Sequence, residues 1–153
     1  MTADANAVEA TLDSTLENVE VADEIAMRMC ARAGLEEEDQ HKVEMAVHES
    51  MINAVRHGNK SDASKKIWLR FEIRADRLEI HIRDEGTGFD VSQIPDPLAP
   101  ENLLKVSGRG IFLIRTFMDE FRIEHPAGSG TEVTLIKRLN SNQLKVHEGG
   151  HRP

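Results

Sequence analysis

Two adjoining stretches constrain the fold most: KKIWLRFEIR, Lys65 to Arg74, and RLEIHIRD, Arg77 to Asp84, separated only by Ala75 and Asp76. Apolar and polar side chains alternate along both, so each segment has one face to bury and one to hydrate. Two such runs joined by a tight connection read as a β-hairpin. A hairpin of this kind needs other elements to cover its apolar face.

Those elements precede and follow it. A short strand near Val8 to Leu12 leads to Ser14 or Thr15, either of which caps a helix reaching about Ala33. Val19, Ala22, Ala26, Met29 or Cys30, and Ala33 form its apolar stripe, and Gly34 ends it. A second helix is expected from about Glu37 to His57 or Gly58, packing through Val43, Ala46 or Val47, Ser50 and Ala54. After the hairpin, glycines and prolines interrupt regular structure until IFLIRTFMDEF, Ile111 to Phe121, resumes as a helix. FRIEHPAGSGTEVTLIKRL then reads as two strands around a glycine-rich turn. This order fits an α/β (α+β) protein, a two-layer α/β sandwich with a mixed sheet and helices on one face.

A chain of 153 residues supports one ordinary core, expected over 9–139, between a flexible N-terminus at 1–8 and a polar tail at 140–153. The formal charge of -8 gives no broad attraction to nucleic acid or to an anionic membrane, so neither is expected as a partner. Cys30 is the only cysteine, which excludes an internal disulfide and a multi-cysteine metal site. With no long apolar run and no signal-like N-terminal region, the expected compartment is the cytoplasm.

Chemistry concentrates in four segments. In HESMINAVRHG, Glu49, Asn53 and His57 recur every four residues, a spacing that stacks them on one face of a helix. DEGTGFD at Asp84 to Asp90, SGRGIF at Ser107 to Phe112 and GSGT at Gly128 to Thr131 follow, three glycine-containing segments that are weak signals taken singly. In this order the four resemble the N box and glycine boxes of the ATP-binding superfamily that includes gyrases, Hsp90-type chaperones, sensor histidine kinases and MutL-type proteins. The resemblance spans roughly residues 40 to 138. Small size, the GRGIFLIRTFMDE segment and the upstream STLENVEVADEIA helix make the chain most similar to the stand-alone anti-sigma-factor serine/threonine protein kinases.

That resemblance implies ATP and Mg²⁺ as cofactors, phosphorylation of a small anti-anti-sigma-type antagonist, sequestration of a sigma factor or analogous signalling protein, and a homodimer. It implies that Asn53 helps hold the Mg²⁺, a task suited to an amide oxygen. Glu49 would orient or deprotonate the attacking hydroxyl. Asp84 would accept from the adenine amino group, with Gly86 and Gly88 admitting the base. Gly108 and Gly110 would lie beneath the phosphates at a helix start, with Ser107 and Ile111 among the nucleotide-binding residues, and Gly130 and Thr131 would lie on the base and sugar side.

Several residues keep two readings. Arg109 either contacts phosphate or points to a protein partner, and Lys105 with Ser107 either closes over phosphate or caps the next helix. His57 either touches the nucleotide region or bonds to backbone at a helix end, and Asp90 is a site residue or a turn cap. His41, His48, His81 and His125 show no spacing that compels a zinc site. Trp68 reads as a strand-packing residue, since aromatics are only 4% of the chain and no basic-aromatic array surrounds it. Two other functions use the same residues: a histidine-kinase-like ATPase acting on water, and a nucleotide-gated binding module without turnover.

Overall fold

The computed structural model describes residues 6–86, 106–124 and 130–139. The elements run β1 (Ala7–Asp13), α1 (Glu17–Arg32), α2 (Glu37–Asn53), a π-helical turn (Ala54–Gly58), β2 (Lys66–Ile73), β3 (Arg77–Asp84), α3 (Val106–Phe117), β4 (Glu120–Glu124) and β5 (Thr131–Arg138). β1 begins inside the stretch expected to be a flexible N-terminus, because Ala7 and Val8 pair with Glu72 and Phe71 of β2.

The strands form a five-stranded sheet in the order β1-β2-β3-β5-β4. All four pairings are antiparallel, which refines the mixed sheet expected from sequence. The connection from β3 through α3 to β4 does return the chain in the same direction, yet β5 inserts between those two strands, so no parallel pair forms.

Alternation in the hairpin decides the layers. Ile67, Leu69, Phe71, Leu78, Ile80 and Ile82 are buried in one continuous core with Ala22, Ala26 and Cys30 of α1 and with Val43, Val47 and Met51 of α2. The intervening side chains of β2 and β3 lie on the opposite, half-buried face. α1 ends as Gly34 predicts: at φ 79° it lets Leu35 N donate to Cys30 O and Gly34 N to Ala31 O, closing the last carbonyls. Its start is capped weakly, by Thr15 Oγ1 accepting from Asn18 N at 3.4 Å, while Ser14 is buried instead.

Two boundaries differ from expectation. α3 starts at Val106, five residues before Ile111, so the glycine-containing segment is helical. It stops at Phe117, because Asp119 N already bonds to Ile136 O and Asp119 Oδ2 accepts from Arg138 N, drawing the chain into the sheet. Lys137, buried on the helix side of β5, donates to Phe117 O at 3.0 Å and lies 3.7 Å from Asp39, so one ammonium ties the end of α3 to the start of α2.

Candidate active site

The site is built around the last residue of β3. The alternation that buries Leu78, Ile80 and Ile82 also turns Asp84 inward, where it is 5% exposed. A carboxylate on an apolar face needs fixed donors. Asp84 Oδ1 accepts from Gly86 N at 2.9 Å and from Thr131 N at 3.2 Å, so the next turn and the start of β5 converge on it.

Glycines make that convergence possible. A Cβ on Gly130, which has φ 65°, would come within 2.0 Å of the Asp84 carbonyl oxygen. One on Gly58 would come within 2.0 Å of Asp84 Oδ2, and one on Gly86 within 1.7 Å of Gly58 O. Three chain segments thus pack backbone to backbone around one carboxylate.

The π-helical turn brings Gly58 there. Asn59 N bonds to Ala54 O at 2.8 Å, the five-residue step of a π-turn, and this widening alters the four-residue stacking that begins at Glu49 and Asn53. His57 consequently departs from the expected polar stripe: it is exposed and does not line the cavity beside Asp84. Asn59, completely buried, clamps the turn to the sheet by donating from Nδ2 to Lys66 O at 3.0 Å and accepting Glu85 N on Oδ1 at 2.8 Å. Lys60 and Ser61 then reverse the chain with φ of 53° and 60°.

Glu49 and Asn53 do share a wall. A Cβ at Gly110 of α3 would be 2.9 Å from Glu49 Oε2 and 3.6 Å from Asn53 Nδ2, so the absence of a side chain there lets α3 rest against the polar face of α2. Between this edge and Asp84 lies a cavity lined by Ser50, Asn53, Ile82, Ile111, Thr131 and Val133, among others. The cavity is small, about 10 Å³, and its lining combines the Asp84 carboxylate, the Asn53 amide and the Ser50 hydroxyl with apolar side chains. Ser107, Gly108 and Arg109 lie in the first turn of α3. Gly88, Asp90, Lys105 and His125 lie outside the described residues.

Sequence reasoning missed Ser50, Gly58 and Asn59 as site residues. Gly58 and Asn59 had one available signal, a Gly-Asn pair directly after the polar stripe, but their partners Asp84, Lys66 and Glu85 become visible only in three dimensions. Among the described residues no group of three or more His, Cys, Asp or Glu side chains could hold a metal alone. The buried carboxylate of Asp84 is an acceptor that the amino donor of a ligand would fit.

A two-layer sandwich with this pocket defines a nucleotide-binding domain of the kinase and ATPase class. Comparison with known proteins gives the family: residues 12–137 match the Histidine kinase-like ATPase domain. The chain is 33% identical over 122 residues to the serine-protein kinase RsbW of Bacillus subtilis (strain 168), covering 76% of this chain and 75% of that protein. It is 28% identical over 123 residues to the serine-protein kinase RsbW of Listeria innocua serovar 6a, covering 76% and 77%. A crystal structure of the RsbU and RsbW domains of Rv1364c from Mycobacterium tuberculosis shares the fold with TM-score 0.63 and 22% identity, over 90% of this chain and 33% of that one. The chain belongs to the histidine kinase-like ATPase family, among the RsbW-type serine-protein kinases. Among its described residues no helix is long and apolar enough to cross a membrane.

Proposed function

We propose that the chain moves the terminal phosphate of Mg²⁺-bound ATP to a serine or threonine hydroxyl of a small antagonist protein, and that in another state it holds a sigma factor or analogous regulator. The observation that carries this reading is the buried Asp84 carboxylate, held by two backbone amides inside three close-packed glycines. An acceptor-only group fixed in an apolar wall selects a base that presents an amino donor. Kinship with the RsbW serine-protein kinases supplies the class of acceptor.

In this reading Asn53 would give its amide oxygen to Mg²⁺, which would neutralise phosphate charge, and the amides of the first turn of α3 (Val106–Phe117) with Gly108 and Gly110 would receive the phosphates. Glu49, beside Gly110, orients the acceptor hydroxyl and takes its proton as the new oxygen–phosphorus bond forms and ADP departs. Ile111 and Thr131 bound the cavity, and by the family resemblance Gly86 and Gly88 would serve the base and Ser107 and Arg109 the phosphates. A homodimer completes the proposal.

Labelled ATP, a serine-bearing antagonist from the same organism, and the Glu49→Gln variant test it. Transfer should fall about 10²- to 10⁴-fold while ADP affinity is kept. Normal transfer by the variant would remove Glu49 as the base. ATP-dependent partner binding without any labelling by the wild type would favour a nucleotide-gated module instead.

A further inference from the structure

Among the described residues three buried side-chain oxygens have no hydrogen-bond partner: Ser14 Oγ, Asp23 Oδ1 and Ser50 Oγ. Only the last of these lines the cavity beside Asp84. Ser50 is 1% exposed and sits in α2 one turn before Ala54. A serine inside a helix commonly donates back to the carbonyl one turn earlier, here that of Ala46, and thereby costs the protein little. Ser50 makes no such bond, so its hydroxyl is desolvated without compensation, a penalty that alanine at the same place would avoid. The neighbours across the cavity are the Asp84 and Thr131 end of the site and the apolar side chains of Ile82 and Ile111.

We propose that Ser50 reads the base: its hydroxyl, on the lining it shares with Asp84, hydrogen-bonds to the edge of an amino-bearing purine. This rests on the nucleotide reading above and adds a specificity residue to it. The two groups divide the work by their chemistry. Asp84, which already accepts at Oδ1 from two backbone amides, can accept from the exocyclic amino group, whereas a hydroxyl both donates and accepts and can meet the ring nitrogen next to that amino group. A buried hydroxyl satisfied only by ligand makes the empty site slightly worse and the filled site better, which favours binding of a base that presents a polar edge there.

Calorimetry and thermal melting of the full chain test this with Ser50→Ala and with Ser50→Cys, which keeps the shape but donates weakly. Both variants should bind ADP about 3- to 10-fold more weakly, the worth of one hydrogen bond. An ADP analogue with C–H in place of the ring nitrogen beside the amino group should bind wild type and variants alike. Unliganded Ser50→Ala should melt at or above the wild-type temperature. ADP affinity unchanged in both variants, or an equal loss for ADP and the analogue, overturns the assignment. So does a fall in unliganded stability of both variants that accounts for the weaker binding. If the wild type itself binds no ADP, the nucleotide reading fails and this inference falls with it; wild-type binding with unaffected variants removes the role of Ser50 alone.

Discussion

The two faces of β3 carry carboxylates in opposite settings. On the open face Glu79 is surrounded by Arg77 at 2.7 Å, Arg74 at 3.0 Å and His81 at 3.3 Å. These belong to a network that extends through Glu72 to Arg70 and Glu9 on β1. On the helix face Asp84 has backbone amides from two segments and a ring of glycines. Side-chain cations satisfy Glu79 and leave it engaged, while rigid backbone donors hold Asp84 inside a cavity. The difference separates a carboxylate braced by side-chain cations across the sheet from one held by backbone donors at a cavity, the one proposed above to meet the nucleotide.

If the Asp84 end is a rigid cradle, filling it should cost far more than editing the open face. Gly130→Ala adds a methyl against the Asp84 carbonyl and strains a left-handed residue, and should lower unfolding free energy by about 3 kcal/mol or more in urea titration. A loss below about 1 kcal/mol would mean that the cradle yields easily.

Glu79→Gln should cost only about 1 kcal/mol by the same titration. Burial pushes the Glu79 carboxyl up, but hydrogen bonds from His81 and Arg77 and the charges of Arg74 and Arg77 outweigh it and hold the group below its ordinary value. A lowered folded-state pKa gives stability that is present above the unfolded-state value, about 4.3, and disappears as pH falls through the folded-state value. The gap between wild type and Glu79→Gln should therefore be flat from neutral pH to about 5 and close below about 4. A gap that widens in acid would contradict the network.

The smallest expected effect is an absence of reaction. Burial, and then the charges of Glu44 and Asp39, push the Cys30 thiol up to about 12, so a thiol reagent at neutral pH should label it only on unfolding. Prompt labelling of folded protein would show that the packing of α1 opens readily.

Most of the fold was legible because periodicity reports burial directly. Alternation from Lys66 to Asp84 gave the hairpin, and the stripe from Val19 to Ala33 with Gly34 gave α1 and its end. The start of α3 was obscured because Ser107, Gly108 and Gly110 have poor helix propensity; a helix forms there where Gly110 seats against Glu49 and Asn53. The insertion of β5 between β3 and β4 is a tertiary choice that leaves no local signature. In the site, Asp84, Gly86, Gly130 and Thr131 could be read together from the order of their segments. The exposed position of His57 could not, since it follows from a π-turn that serves the Gly58 and Asp84 contact.

ADP affinity measured by calorimetry on wild type, Asp84→Asn and Glu79→Gln tests the central claim most directly. Asparagine keeps an acceptor oxygen for the Gly86 and Thr131 amides but loses the charge, so Asp84→Asn should bind ADP about 10- to 100-fold more weakly. Glu79→Gln, on the other face of the same strand, should bind within about twofold of wild type. Wild-type affinity in Asp84→Asn, or equal losses in both variants, would contradict the assignment of Asp84 as the nucleotide's anchor.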